Sequence, residues 1–310
     1  MKRFFKRIGL FSLVLSGVSF LLFIVCSLSY TLEYAVLASE KNAGSTNQRS
    51  AEWNKNQLHE EDILFFGSST CYSGIDPSAL QAFGLSGFNF CSSSQAIGNS
   101  ASLIPAASMD VSPQCIALDV YPMPWGAKTP ALESTKDWII NSNLRTPAWS
   151  KAYQTLALES GDIFTIFTTF YYDFVRRFNV AGSNPDLAKD QKGSYCGLGF
   201  VARSFDALDS IECESLTRAM SDTECGYIEE ISAHCEERSI QLILINPPQL
   251  CEETFEMPPC FEGLAYIDGN AWPGAKTPRN FYDDHHLVEA GAMSYSAWLA
   301  QEIASLLHAS

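Results

Sequence analysis

Short apolar runs recur along the chain from residue 61 onward, separated by longer stretches with helical periodicity. Five of these runs have the length of a strand and are continuous rather than alternating, which is typical of parallel strands covered on both faces. They are residues 63–66, 87–90, 115–120, 242–245 and 265–267. Helices are predicted between and after them, at residues 77–83, 97–109, 224–238 and 288–307. Alternating strands and helices predict an α/β fold, a three-layer α/β/α sandwich with a parallel sheet.

The N-terminal segment has a different pattern. Residues 8–32 contain no charged side chain, and this run is long enough for a helix that spans a bilayer. Four basic residues precede it, so the positive-inside rule places residues 1–7 in the cytoplasm and everything after the segment on the periplasmic or extracellular side. We therefore expect a single-pass anchor in the cytoplasmic membrane. A cleaved signal peptide is the alternative, because Val36 and Ala38 form a small-residue cleavage site.

Two further segments interrupt the pattern of the main domain, which is predicted at residues 61–310. Residues 39–60 are polar without apolar periodicity, and a tether between membrane and domain is predicted at residues 33–60. Residues 121–220 carry Pro- and Trp-bearing loops and predict a helical insertion. Within it, the aromatic stretch 162–178 predicts a helix that packs its aromatic side chains on the sandwich; a lid over the substrate cleft and an interfacial membrane helix are the alternatives.

The charge of the chain argues against one class of partner. The formal net charge is −15, and the part beyond the apolar segment is more acidic still because four basic residues precede that segment. An acidic surface repels phosphate backbones, and the sequence has no Lys/Arg stripe with interleaved aromatic residues. Nucleic acid is therefore excluded as an expected partner.

The chain has ten cysteines, nine of them outside the apolar segment. Their spacings match no zinc pattern, so no metal or other cofactor is expected. In an oxidising compartment, nine cysteines predict disulfides with at least one thiol left over. Cys251 and Cys260 flank a proline-containing loop and are the expected pair, with buried free thiols as the alternative.

Ser69 lies in the polar turn that follows the first predicted strand. Reactive groups of open parallel sheets gather outside the carboxyl ends of the strands, and Ser69 would lie there. A serine hydroxyl is a weak nucleophile until a base accepts its proton, so the candidate base is sought among the five histidines. His59 falls in the predicted tether, His308 near the C-terminus and His234 in a Glu-rich helix, where structural roles explain them.

His286 is the remaining candidate base, at the start of the last predicted helix with Asp283 three residues before it. On one helical turn, a carboxylate at position i reaches an imidazole at i+3 and fixes its tautomer. The other ring nitrogen is then available for the proton of a serine, the arrangement of any Ser/His/Asp constellation. Asp284 and His285 are expected to point elsewhere.

Two short motifs together resemble the SGNH/GDSL hydrolase superfamily: the turn at residues 67–69, Gly-Ser-Ser, and Asp-x-x-His-Leu at residues 283–287. The chain is further similar to a membrane-anchored branch, found among proteins of cell-envelope and exopolysaccharide modification, at residues 74–77, 88–95, 116–121 and 286–300. The resemblance covers about residues 61–120 and 240–305. It implies a flavodoxin-like fold in which Ser69 is the nucleophile, Asp283 orients the base and His286 is the general base.

The chain departs from this superfamily at the positions that hold the oxyanion. The second motif block normally offers a glycine amide and the third an asparagine side chain, whereas this chain has Cys91 and Asp119 there. Oxyanion stabilisation is often the largest catalytic contribution, so other donors are needed. The candidates are the backbone N–H of Ser69 and the side chains of Asn89, Ser92 and Gln95.

The expected function is serine-dependent hydrolysis of an acyl ester, or acyl transfer to a sugar hydroxyl, outside the cytoplasmic membrane. The expected substrate is an acyl ester or glycan of the cell envelope, with an envelope protein as a further candidate partner. One alternative is a weak or inactive member that binds a glycan or a partner, which the altered oxyanion positions favour. The other is a metal site built from Asp283, Asp284, His285 and His286, although adjacent side chains on one turn are expected to diverge.

Overall fold

The computed structural model of the chain describes residues 2–41, 46–55, 61–121, 129–144, 146–177, 193–213, 216–251, 253–255 and 257–309. His59, two parts of the predicted tether (42–45 and 56–60) and four parts of the predicted insertion (122–128, 145, 178–192 and 214–215) lie outside the described residues.

The described residues form α-helices and strands that are numbered in chain order. The strands are β1 (Ile63–Phe66), β2 (Gly87–Asn89), β3 (Cys115–Asp119), β4 (Gly193–Gly197), β5 (Phe200–Arg203), β6 (Leu216–Arg218), β7 (Gln241–Asn246), β8 (Glu253–Phe255) and β9 (Ala265–Asp268). The helices are α1 (Lys2–Lys41), α2 (Thr46–Lys55), α3 (Ser69–Gly74), α4 (Ile97–Asp110), α5 (Leu132–Asn141), α6 (Pro147–Ser160), α7 (Ile163–Arg177), α8 (Asp222–Glu237) and α9 (Glu289–Ala309). Short 3₁₀ segments cover Pro77–Phe83, Pro259–Phe261, Gly269–Ala271 and Pro278–Asn280.

Five strands form one parallel sheet in the order β2–β1–β3–β7–β9. The chain moves from β1 to one neighbour, β2, and then crosses to the other neighbour, β3, so the direction of winding reverses at β1. In open α/β sheets, ligands bind outside the carboxyl ends of the strands at such a reversal. Helices cover both faces, and the predicted three-layer α/β/α fold is confirmed.

The side chains of each central strand alternate between two separate cores. Along β1, Leu64 and Phe66 belong to one core, whereas Ile63 and Phe65 belong to the other. α4, α5, α6 and α8 contribute to the first core, and α3 and α9 to the second. Because both faces are buried, every position of a strand can be apolar, which explains the continuous apolar runs.

The structure differs from the expected polar tether at α2. Trp53 of this helix is 1% exposed, and its ring packs against Phe88 and Phe90 with centroid distances of 4.9 and 4.7 Å. Arg49 is fully buried and donates from Nε to the carbonyl oxygen of Gly199 at 3.0 Å. The polar composition of α2 hid this role, because a single tryptophan and an inward arginine leave no apolar periodicity.

The predicted insertion contains α5, α6, α7 and the β4–β5 hairpin. Trp138 and Trp149 from α5 and α6 stack on each other inside the first core, with ring centroids 5.7 Å apart. The prediction that the aromatic stretch 162–178 packs its rings on the sandwich is wrong for three phenylalanines of α7, whereas Tyr172 packs against the first core. Phe164, Phe167 and Phe170 are 51%, 41% and 52% exposed.

Three disulfides connect described residues, and the expected pairing of Cys251 with Cys260 is wrong. Cys251 pairs with Cys213, and Cys260 pairs with Cys225 of α8. The third disulfide links Cys71 and Cys91. Proximity along the sequence misled the prediction, because the true partners are brought together by α8 and by the loop before β6.

Helix α1 contains the apolar segment. Phe4–Leu22 is long and apolar enough to cross a membrane, although a signal sequence near an N-terminus has the same features. Described side chains of this stretch are exposed, and the helix continues beyond it to Lys41. The anchor, its orientation across the membrane and the domain boundaries remain predictions.

Candidate active site

The first element of the candidate site is the turn between β1 and α3. Gly67 has a φ of +154°, and a Cβ atom at this position would lie 2.4 Å from Cβ of Asp119 at the end of β3. Only a glycine therefore lets the chain leave β1 so close to β3. Ser68 follows, and Ser69 begins α3 at the carboxyl edge of the sheet.

Three predicted residues meet at this edge. The Oγ atom of Ser69 lies 2.7 Å from Nε2 of His286, although the two residues are 217 positions apart. The other ring nitrogen of His286, Nδ1, lies 2.7 Å from Oδ2 of Asp283. A proton can thus pass between serine and imidazole while the carboxylate holds the ring, which is the geometry of a Ser/His/Asp triad.

The segment that carries Asp283 and His286 is a bridged turn rather than the predicted start of a helix. Phe281 and Leu287 form an isolated antiparallel bridge, and α9 begins only at Glu289. Oδ1 of Asp283 accepts the backbone N–H groups of His285 and His286 at 3.0 and 2.7 Å. One carboxylate therefore shapes the turn with one oxygen and orients the imidazole with the other.

The charge of Asp283 is stabilised within this turn. Burial acts to raise the pKa of Asp283, but the hydrogen bond to His286 and the charges of His286 and His285 outweigh it and lower the pKa to about 2. Asp283 is thus a carboxylate over the whole range in which an imidazole titrates. The side chains of His286 and Asp283 are 15% and 37% exposed, so the pair can be reached from solvent.

Aromatic rings brace His286 from one side. Tyr282 stacks on His286 with centroids 5.3 Å apart, and Phe205 stacks on the ring of Tyr282 at 4.3 Å. Burial raises the pKa of Tyr282, so its hydroxyl stays protonated. Sequence reasoning missed both residues, because nothing in the pattern places Phe205 beside a motif some eighty positions later.

His285 forms a second carboxylate–imidazole pair beside the first. Its Nδ1 atom lies 2.6 Å from Oδ1 of Asp284, and its ring stacks on Tyr121 with centroids 5.2 Å apart. The ring centroids of His285 and His286 are only 4.0 Å apart. Burial and the neighbouring His286 lower the pKa of His285, while Asp283 and Asp284 oppose that change. The sequence analysis expected His285 to point elsewhere. That expectation is wrong, because the ring of His285 lies against the ring of the candidate base.

The oxyanion candidates from the second motif block are committed to other partners. Asn89 donates from its amide to the carbonyl oxygens of Cys71 and Ile75, and its Oδ1 accepts the N–H of Cys91. Ser92 donates to Oε1 of Gln95 at 2.9 Å, and Gln95 donates from Nε2 to Ser100. All three side chains are buried, and each has its hydrogen-bond partners within the fold. The backbone N–H of Ser69 is the remaining oxyanion candidate, because the first residue of a helix has no acceptor for its N–H within the helix.

The other two candidate histidines within the described residues lie away from this site. His234 on α8 lies 2.8 Å from Oγ of Ser108, through its Nε2 atom. His308 is exposed near the end of α9.

Asp119 is a further residue of the site whose role the sequence did not define. Its Oδ2 accepts the hydroxyl of Thr70 at 2.5 Å, and its Oδ1 accepts the N–H of Tyr121 at 2.7 Å. The hydroxyl of Thr70 is also 2.8 Å from that of Ser68. Asp119 therefore ties the residues on both sides of Ser69 to the end of β3 and is a positioning residue of the turn.

Burial raises the pKa of Asp119 to about 6, although the hydrogen bonds from Thr70 and Tyr121 and the charge of His286 act against the shift. A carboxyl whose pKa is raised on folding stabilises the fold below its unfolded pKa of about 3.9, and this contribution is lost as the pH rises through about 6. We predict that the stability of the wild type relative to Asp119→Asn falls by about 2 kcal/mol between pH 4 and pH 7.

Urea unfolding of both full-length proteins in mild detergent, across this pH range, measures the difference. Asp137, whose pKa burial also raises to about 6, is present in both proteins and cancels. Parallel pH profiles for the two proteins would contradict the assignment of a raised pKa to Asp119.

The disulfide between Cys71 and Cys91 links α3 covalently to the segment that follows β2. Cys71 lies two residues after Ser69 in α3, and Cys91 lies two residues after the end of β2. Because β1 and β2 pair in parallel, with Phe65 opposite Asn89, the segments that follow them leave the sheet at the same edge. The sequence analysis predicted both strands but no order for them, so it did not anticipate this pairing.

Asp283, His285 and His286 also have the residue types of a metal site. One donor atom from each lies within 4.8 Å of the others. These side chains therefore converge, whereas the sequence analysis expected them to diverge. Within the part of the chain that the structure describes, this is the cluster that could hold a metal.

The fold and the site together define a three-layer α/β/α protein with a Ser/His/Asp array at the carboxyl edge of its parallel sheet. No protein-family model matches the chain, and no curated protein matches its sequence. Among solved structures, the chain is similar to a candidate acylhydrolase from Bacteroides fragilis NCTC 9343, with 11% identity over 84% of this chain and 96% of the other, and a TM-score of 0.39. A likeness this distant supports no inference about activity.

Proposed function

We propose that the protein is a serine-dependent acyl ester hydrolase or acyltransferase of the SGNH/GDSL type. The observation that carries this proposal is the unbroken relay from Ser69 through His286 to Asp283, with both contacts at 2.7 Å. A hydroxyl, an imidazole and a carboxylate in this order make a serine nucleophilic on any fold. The motifs at residues 67–69 and 283–287, in the order that the superfamily uses, add support.

In the proposed reaction, Oγ of Ser69 attacks the acyl carbonyl carbon while its proton passes to Nε2 of His286. Collapse of the tetrahedral adduct breaks the ester C–O bond, and the proton of His286 leaves with the alcohol. Water or a sugar hydroxyl then attacks the acyl-serine, giving a carboxylic acid or a new ester. His286 accepts the proton of the attacking group and returns one to Ser69.

The backbone N–H of Ser69 is the proposed oxyanion donor. Each donor of this kind contributes about 3 to 4 kcal/mol to the transition state. The committed hydrogen bonds of Asn89, Ser92 and Gln95 argue against a second donor from these side chains in their present conformations.

We further propose that the reaction takes place outside the cytoplasmic membrane, on an envelope ester or glycan. Three disulfides support an oxidising compartment, because they rarely persist in the cytosol. The basic residues before the apolar window of α1 support the same orientation.

A fluorophosphonate probe, which forms a covalent bond with an activated serine, tests the proposed nucleophile. We expect labelling of the full-length wild type and of Ser68→Ala, and no labelling of Ser69→Ala. Ser68 is the matched control because it is the adjacent serine, yet its hydroxyl contacts Thr70 rather than His286. Equal labelling of wild type and Ser69→Ala would exclude Ser69 as an activated nucleophile.

The second candidate function is a non-catalytic member that binds a glycan or an envelope protein. The hydrogen bonds of Asn89, Ser92 and Gln95 to other groups of the fold favour this function. They leave the oxyanion hole incomplete, and a triad without a complete oxyanion hole turns over slowly. Labelling of Ser69 without measurable ester hydrolysis, combined with glycan binding that survives Ser69→Ala, would support this function over catalysis.

A further inference from the structure

Helix α7 has its polar and apolar faces reversed relative to a helix on the surface of a soluble domain. Ile163, Phe167 and Phe170 follow one another on one stripe and are 59%, 41% and 52% exposed. Phe164, at the edge of this stripe, is 51% exposed. A soluble surface helix turns its apolar stripe toward the core, so this arrangement calls for an apolar environment outside the protein.

The threonines of α7 face inward. Thr165, Thr168 and Thr169 are each at most 2% exposed. Their hydroxyls are satisfied locally, since Thr168 and Thr169 donate to the carbonyl oxygens of Phe164 and Thr165, and Thr165 donates to Asp162. Small hydroxyl residues toward protein and large apolar residues away from it are typical of helices that contact lipid.

The apolar helix α1 is a neighbour of α7. α1 contacts both α5 and α7. The described side chains of its window Phe4–Leu22 are exposed, and Ile24, just beyond the window, is half-buried. Nineteen helical residues span about 28 Å, close to the thickness of the hydrocarbon core. α7 therefore lies next to the helix that would cross the bilayer.

We propose that α7 lies in the membrane interface, with Ile163, Phe164, Phe167 and Phe170 inserted among the lipids. The partner of this surface is the phospholipid bilayer that α1 crosses. The catalytic domain is then held against the membrane by two contacts, α1 and α7, rather than suspended on a tether. This inference depends on α1 as a membrane anchor and is independent of catalysis by Ser69.

Fluorescence quenching by brominated lipids tests the proposal on the full-length protein. Phe170→Trp and Met293→Trp are compared in phosphatidylcholine nanodiscs with and without bromine on the acyl chains, and the signal of the wild type is subtracted. Met293 is a matched control because it is 49% exposed but lies on α9, which packs on the other face of the sheet. We expect the tryptophan at position 170 to lose about half of its signal and the one at position 293 almost none.

Ile163→Trp provides a second probe at the other end of the same stripe, with the same expected loss, so that one poorly folded variant does not decide the result. Equally small losses at positions 163, 170 and 293 would overturn the proposal. Signals at 163 and 170 that depend on two copies of the chain in one disc, and not on bromine, would identify a contact between chains and overturn it as well.

Discussion

Replacement of His286 by alanine is expected to lower kcat/KM for ester hydrolysis by about 10⁴- to 10⁶-fold, because the hydroxyl of Ser69 then has no group to accept its proton. The contact between Ser69 Oγ and His286 Nε2, at 2.7 Å, carries this prediction. Hydrolysis of a short-chain p-nitrophenyl ester by the purified full-length protein measures it.

The double variant Ser69→Ala/His286→Ala sharpens this test. Residues that act as one unit are strongly non-additive, so the double variant should lose about as much activity as either single variant. His234→Ala is the control, since His234 contacts Ser108 on α4 and has no place in the relay. Multiplicative losses in the double variant, or a similar loss in His234→Ala, would contradict the proposed role of His286.

The second large effect is expected for Trp53→Ala in α2, which should reduce the free energy of unfolding by about 3 to 5 kcal/mol. Trp53 is 1% exposed and packs on Phe88 and Phe90, so its removal leaves a cavity in the core. Urea unfolding of the full-length protein in mild detergent, followed by circular dichroism, measures the loss.

Lys55→Ala in the same helix is the matched control. Lys55 is exposed, and surface substitutions usually change stability by less than about 0.5 kcal/mol. A tether would tolerate both substitutions equally. Similar stability of the two variants would mean that α2 is not part of the folded domain in solution.

The proposed chemistry and the membrane contact are linked through α2. This helix follows α1 by four residues and carries Arg49, whose guanidinium lies over the ring of Tyr72 at 5.1 Å. Tyr72 belongs to α3, the helix that Ser69 begins, and its hydroxyl also accepts from Arg203 at 2.5 Å. The helix that presents the candidate nucleophile is therefore packed directly against the segment that follows the apolar helix α1.

The sequence predicted the sheet and the candidate triad because both depend on local patterns. Each parallel strand is a short apolar run ended by a turn, as at Phe66 and Gly67. The spacing of three residues between Asp283 and His286 is likewise local, although the structure uses a bridged turn where a helix was expected.

The oxyanion candidates show where local reasoning ends. Asn89, Ser92 and Gln95 have the right chemistry and lie near the right strand, yet each is committed to a partner within the fold. Whether a polar side chain faces a substrate or a neighbouring backbone depends on groups far along the chain. For example, Oγ of Ser92 lies 2.8 Å from Oγ of Ser134, a residue 42 positions away along the chain.

The amino-acid sequence by itself determined the parallel α/β sheet and the apolar N-terminal helix, which follow from periodicity. It also predicted the candidate set of Ser69, Asp283 and His286, because a polar turn after a strand and the spacing between Asp283 and His286 are local features. The tertiary structure alone decided that Ser69 and His286 meet, that α2 belongs to the core, which cysteines pair and which way α7 faces. Those outcomes depend on packing between segments distant along the chain, and an element's own pattern does not contain the identity of its neighbours.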